Sequence, residues 1–136
     1  MEDCLFCKII KGDIPSANIY EDDFSFAFLD INPVNIGHTL LLPKDHYENI
    51  FDIPDDLLMK LSVNSKKIAH ALQKSLSTDG VNIISNNGRA SGQLVFHSHI
   101  HIIPRYEADG FKHWKGKRGY NEGEADEVAE RIKKSL

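Results

Sequence analysis

The sequence has no long apolar run. Its longest is residues 39–43 (Thr39, Leu40, Leu41, Leu42, Pro43), far short of the ~20 residues that cross a bilayer, which excludes a spanning helix and a membrane partner. Cysteine is scarce: Cys4 and Cys7 stand alone at one end and build no disulfide framework. Basic charge is in the minority, 16 Lys and Arg against 20 Asp and Glu for a net charge of −4. That argues against wrapping long nucleic acid, because every neutralised phosphate needs a cation. A mononucleotide in a small neutral pocket is still admissible. The opening residues Met1, Glu2 and Asp3 are acidic or neutral where a secretory leader would be basic, so the expected location is cytoplasmic. Repeats, low-complexity tracts and interdomain linkers are also missing.

What is present fits one ordinary domain over residues 1–136, with a core at about 4–105 and a C-terminal segment at 106–136. Hydrophobic residues make up 41% and charged residues 26%, and a chain this long buries about two-thirds of its unfolded surface without needing a staple. A short helix over Leu5–Lys11 should stop at Gly12. Strands are expected at 17–20, 25–29, 38–42 (ended by Pro43), 81–85 and 95–103 (ended by Pro104), with 86–94 as a glycine-bearing loop. The strongest periodicity lies in Asp55–Leu76, where Leu57, Leu61, Ile68, Leu72 and Leu76 stack on one helical face. Val128, Ile132 and Leu136 suggest a final amphipathic helix, and 108–123, with four glycines and the lone Trp114, reads as irregular. Strands cluster around one long helix instead of alternating with several, which favours an antiparallel α+β domain. An exposed end strand would invite pairing of two subunits.

The chemistry concentrates in seven histidines. His97, His99 and His101 alternate, so on a strand their imidazoles leave one face while Ser98, Ile100 and Ile102 point the other way. A surface stripe is the bland reading, but Phe96, Ile102 and Ile103 look like an interior strand. One metal ion held by all three is opposed by geometry. Residues four apart on a strand are ~13 Å apart, whereas zinc–nitrogen bonds are about 2.0–2.1 Å long. The three must divide their duties. A neutral imidazole at position 99 suits a nucleophile at pH 7, because an ordinary pKa of ~6.5 leaves it mostly unprotonated. The preceding loop, Asn86 to Gln93, supplies glycines and amides that could approach phosphate oxygens.

The segment from Gly92-Gln93-Leu94 through His97-Ser98-His99-Ile100-His101-Ile102-Ile103 resembles the histidine triad (HIT) family. Cys4-Leu5-Phe6-Cys7-Lys8-Ile9-Ile10 with Ile14-Pro15-Ser16 is similar to that family's opening, and Phe28-Leu29-Asp30-Ile31 with Gly37-His38-Thr39-Leu40 also matches. The match runs from about Cys4 to Arg105 and is nearest the small bacterial-type branch. The resemblance implies a five-stranded antiparallel sheet with one long and one short helix, two such sheets joined in a homodimer, and hydrolysis or transfer of nucleoside monophosphates. It implies His99 as the nucleophile that becomes nucleotidylated, with His101 and His38 assisting at the phosphate. It places Asn86, Gly92 and Gln93 in the phosphate loop, Asp30 on the ribose hydroxyls, and Phe6, Ile9, Phe28, Leu29 and Ile31 around a purine base. Read without the family, Phe6, Ile9 and Phe28 are core residues in preference to a base pocket, and Asp30 is a turn residue. Ser98 replaces an expected hydrophobic residue, and Leu94 stands where several branches carry a hydroxyl.

Cys4-x-x-Cys7 admits a redox pair, two unrelated thiols, or half of a structural zinc site. His46 and His97 would complete the zinc site, as the resemblance to bacterial members implies. His70 and His113 read as ordinary surface or packing histidines, and Lys115, Lys117 and Arg118 as a solvated basic patch. The reaction expected is cleavage of a nucleoside phosphoramidate at the α-phosphate. The alternatives are dinucleoside polyphosphate hydrolysis, a nucleotide-binding dimer with little turnover, and a zinc-activated-water hydrolase.

Overall fold

The computed structural model describes residues 3–136; Met1 and Glu2 of the acidic N-terminal run lie outside the described residues. Helix α1 (Leu5–Lys11) is followed by strands β1 (Asn18–Glu21), β2 (Ser25–Leu29) and β3 (Thr39–Pro43). Then come helix α2 (Asp55–Leu76), β4 (Gly80–Ile84), a single 3₁₀ turn (Arg89–Ser91), β5 (Ile100–Arg105) and α3 (Glu124–Lys133). The five strands pair antiparallel throughout in the order β1-β2-β3-β5-β4. This is the expected α+β architecture, with β1 and β4 as the two edges. Among the described residues, no helix is long and apolar enough to cross a membrane.

Alternation along the strands divides the core in two. On one face, Ala27, Leu41 and Ile102 pack against Leu61, Ile68 and Leu72 of α2, the helical stripe expected from the spacing. On the other, Phe28, Leu40 and Leu42 pack against Phe6 and Ile9 of α1. Leu40 pairs with His101 in register, so this second face carries the histidine chemistry. α1 begins at Cys4, whose Sγ accepts the Cys7 N–H, and ends at Gly12 with φ +84°. Gly37 also has positive φ, and a Cβ there would run into Leu76 of α2. Glycine is therefore favoured immediately before His38, chiefly by the positive φ.

Two expectations need correction. The last strand starts at Ile100, so of the three alternating histidines only His101 lies in the ladder, and 95–99 approach it as irregular chain. Nor does Pro104 end that strand; it pairs with Val81 inside it. The β3–β5 ladder stops at Thr39–Ile102, so beside Pro104 β3 has run out and its missing N–H breaks no bond on that side. The final helix forms, but it buries no residue, and Leu136 lies beyond it and exposed. Of its apolar stripe, Val128 is half-buried and Ile132 is exposed.

Candidate functional site

His38, His99 and His101 converge on the α1 face of the sheet. The His99 and His101 rings lie 4.9 Å apart, and Phe6 sets its edge against His99 at 5.1 Å, with the rings nearly perpendicular. Backbone partners settle which nitrogens carry protons, because a carbonyl only accepts and an amide N–H only donates. His99 Nδ1 lies 2.6 Å from the His97 carbonyl. Nδ1 must carry the proton and donate it, which leaves Nε2 with the lone pair. The Val34 N–H donates to His38 Nδ1 at 3.1 Å, so the His38 proton sits on Nε2. That nitrogen lies 2.9 Å from His101 Nδ1 and donates to it, which places the His101 proton on Nε2. The result is one ring offering a lone pair beside another offering an N–H.

Burial holds this set neutral. It pushes the His99 pKa down from its ordinary value, against the pull of the His97 carbonyl and the charge of Asp30. It pushes His101 down to about 4, helped by His99 and His38. His38 is lowered for the same reason, with Asp30 opposing. Asp30 Oδ2 stands 3.7 Å from His38 Nε2, and its Oδ1 accepts the Asn32 N–H at 2.8 Å, which fixes the carboxylate at the mouth of the loop.

Cys4, Cys7, His46 and His97 form a second cluster, their ligand atoms all within 4.8 Å of one another. His97 Nδ1 lies 3.6 Å from Cys4 Sγ and 3.5 Å from Cys7 Sγ, and His46 Nδ1 lies 3.4 Å from Cys7 Sγ. A tetrahedral zinc with ordinary bond lengths sets sulfur and nitrogen about 3.5–3.6 Å apart, so the spacing fits. The protonation fits as well. His97 Nε2 lies 2.9 Å from the Pro43 carbonyl and must donate to it, so the lone pair on Nδ1 faces the sulfurs, the second-layer arrangement typical of metal-bound histidine. Burial lowers His97 to about 4, the bond to Pro43 pulling the other way. Burial and the neighbouring Cys4 push the Cys7 thiol up, a penalty a divalent cation removes. Asp30, His38 and His101 also come together but fit a metal badly. Coordination through His38 Nε2, with Nδ1 already accepting an N–H, would leave that ring with no proton at all.

A family model described as the HIT domain matches residues 11–108. The chain belongs to the HIT family. It is 51% identical over 111 residues to Protein hit of Bacillus subtilis, covering 81% of this chain and 77% of that protein. It is 44% identical over 102 residues to the adenosine 5'-monophosphoramidase HNT1 of Saccharomyces cerevisiae (75% of this chain, 62% of that protein). It is 44% identical over 107 residues to the adenylylsulfatase HINT3 of Arabidopsis thaliana (79% and 54%). Among solved structures, a HIT family protein from Bacillus subtilis superposes with a TM-score of 0.90 at 44% identity, covering 98% of this chain and 97% of that one. A Zn-bound histidine triad family protein from Mycobacterium smegmatis superposes at 0.79 and 33% identity, with 99% of each chain covered.

Within this HIT domain the expected site residues do not all face the histidines. Phe6, Ile9 and Phe28 do lie on that face, buried together. Leu29 does not: strand alternation turns it to the α2 side, where it lines a groove with Leu72 and Leu76. Ile31, just beyond the strand, is 89% exposed. Gln93 is 2% exposed and its amide is fully used, accepting the Gly88 N–H and donating to the carbonyls of Glu48 and Val95. It braces the loop, and its side chain is not free to donate to a phosphate. Asn86 and Gly92 lie close together, and Leu94 projects from the loop 89% exposed. Residue types gave no sign of the three backbone groups that set the ring protons, those of Val34, Pro43 and His97. A groove of about 570 Å³ continues along the same sheet face, lined by Val34, Asn82, Ile84, Ile103, Lys112 and Trp114 among others. It begins beside the histidine pair, since Ile84 pairs with His101.

Proposed function

We propose that this HIT protein is a cytoplasmic nucleotide hydrolase or transferase that cleaves a bond at the α-phosphate of a purine nucleoside phosphoramidate through a covalent nucleotidyl-histidine. The carrying observation is the His99 Nδ1–H to His97 carbonyl bond, which commits one nitrogen and frees Nε2 for attack. Nε2 forms the bond to phosphorus as the phosphorus–nitrogen bond to the leaving amine breaks. The positive charge that then develops on the ring is shared through Nδ1–H with the His97 carbonyl. The His101 Nε2–H is placed to hydrogen-bond the phosphoryl oxygen, and His38 backs it through its own Nε2–H, while the departing amine takes its proton from water. Water then breaks the phosphohistidine, releasing the monophosphate and restoring the ring.

Asp30 is assigned to the ribose hydroxyls, with Phe6, Ile9 and Phe28 beside the base and Asn86 and Gly92 along the phosphate. The names of the yeast and Arabidopsis relatives support α-phosphate chemistry with either a nitrogen or an acid leaving group. The groove running past Lys112 and Trp114 favours a second reading, dinucleoside polyphosphate cleavage, in which the leaving nucleotide would lie there. A structural zinc held by Cys4, Cys7, His46 and His97 would steady the carbonyl that bonds His99, and the Mycobacterium smegmatis structure supports it. The homodimer implied by the family would join sheets at an edge, β1 or β4.

Rapid quench and intact-mass measurement tests the reading: a nucleotide adduct mapping to His99 is expected, and an adduct elsewhere reassigns the nucleophile. Turnover that persists in His99→Asn but disappears on stripping metal would favour a zinc-activated water instead. Comparing adenosine 5'-phosphoramidate with a dinucleoside polyphosphate separates the two substrate classes.

A further inference from the structure

The protons on the His38–His101 pair are set by one backbone N–H, that of Val34, which sits in the irregular connection between β2 and β3. What holds that connection in place decides whether His101 presents an N–H or a lone pair. Within it, the His38 N–H donates to the Asn35 carbonyl at 3.0 Å and the Asp30 N–H donates to the His38 carbonyl at 2.8 Å. These bonds close the loop on itself and do not themselves reach β5.

The end of the loop at His38 is held to β5 by the Thr39–Ile102 pairing and by the ring bond to His101; the stretch that carries Val34 is tied to β5 by the side chain of Asn35. Its Nδ2 donates to the Pro104 carbonyl at 2.8 Å and to Asp109 Oδ2 at 2.8 Å. Pro104 lies three residues along the strand from His101, where the ladder to β3 has already ended, so the amide bridges a gap that strand pairing leaves open. Asp109 is itself fixed by Arg105 Nε at 2.8 Å and by the Tyr106 N–H at 3.0 Å, and the Arg105 bond holds its carboxyl well below the usual range. Both protons of the Asn35 amide are therefore spent on rigid acceptors, one on the strand and one on the turn that follows it.

We propose that Asn35 is a positioning residue: by clamping the 32–38 loop to β5 it keeps the Val34 N–H on His38 Nδ1, and so keeps a proton on the far nitrogen of His101. Its catalytic consequence rests on the function proposed above; its effect on the ring protons does not. Without the clamp, the Val34 N–H drifts from the ring. His38 can then carry its proton on either nitrogen, and the pair loses its fixed direction of donation.

The test compares Asn35→Ala with Asn64→Ala. Asn64, more deeply buried than Asn35, makes a comparable two-bond amide network with Asp22 and Ser25 on the α2 side, remote from the chemistry, and controls for general destabilisation. Imidazole nitrogen NMR of histidine-labelled protein above pH 6.5 should show the wild type and Asn64→Ala with bare Nδ1 on both His38 and His101. Asn35→Ala should show mixed protonation on both rings. With adenosine 5'-phosphoramidate, kcat of Asn35→Ala should fall by roughly 10- to 100-fold, with KM within about threefold, while Asn64→Ala keeps its kcat. Asn35→Ser, which retains one donor, should lie between and replaces the alanine variant should that not fold. Unchanged ring protons in Asn35→Ala, or a kcat no lower than that of Asn64→Ala, overturns the proposal. A wild-type protein that forms no nucleotidyl adduct removes the proposed function yet leaves the NMR comparison standing.

Discussion

His99 shows how little of a side chain's reactivity lies in the side chain itself. The residue is 6% exposed, its Nδ1 is committed to a carbonyl two residues back, and burial lowers its pKa. The unprotonated form is therefore retained below the ordinary histidine value of ~6.5. The expected pH profile of kcat/KM is accordingly flat from neutrality through pH 6.5, with its acid limb displaced to lower pH; an inflection at or above 6.5 would contradict the assignment. Replacing His99 by Asn should lower turnover by at least about a thousandfold, as loss of a covalent nucleophile does elsewhere, while monophosphate binding measured by calorimetry stays within a few-fold.

At the scale of elements, α1 and α2 do different work on opposite faces of one sheet. α2 supplies the bulk of one core through Leu61, Ile68 and Leu72, so Leu61→Ala should cost about 2–5 kcal/mol in urea unfolding and leave the ring geometry intact. α1 is only seven residues long, too short to be stable by itself. It is held by Phe6 and Ile9 and by the cluster at its first turn, where Cys4 and Cys7 meet His46 and His97. His97 links that cluster to the chemistry, because its ring faces the sulfurs and its carbonyl bonds His99. On the proposed zinc assignment, the wild type should carry zinc by elemental analysis, and Cys7→Ser should lose it, lower the melting temperature and reduce turnover together. Loss of metal with unchanged turnover would separate the two roles.

The whole molecule should respond to acid in two stages. His97 and His101 have folded pKa values near 4 against ~6.5 unfolded, so the unfolded chain binds more protons between those values. The stability their neutrality confers is complete above about pH 6.5 and drains away as pH falls toward 4. Asp22 behaves similarly lower down. Burial opposes its charge, but hydrogen bonds from Phe24, Ser25 and Asn64 outweigh that and hold it at about 2, so its contribution is present above about 3.8 and lost as pH falls toward 2. Metal-free protein should show a falling melting temperature from pH 6.5 downward and a further drop below pH 4; a melting temperature constant from pH 7 to 4 would contradict this.

Much of this was legible in the residues. Spacing of Leu61, Ile68 and Leu72 identified the α2 stripe, and glycine at 12 marked the end of α1. Those features are carried by residue identity and short-range periodicity, which a single strand or helix turns directly into geometry. The start of β5 at Ile100, the turning of Leu29 away from the histidines and the use of Gln93 as a loop brace were decided only in the folded chain. So were the protons on His38, His99 and His101. They depend on backbone carbonyls and N–H groups brought from distant segments, and since nearly every residue carries those groups, no residue type could announce where they would be used.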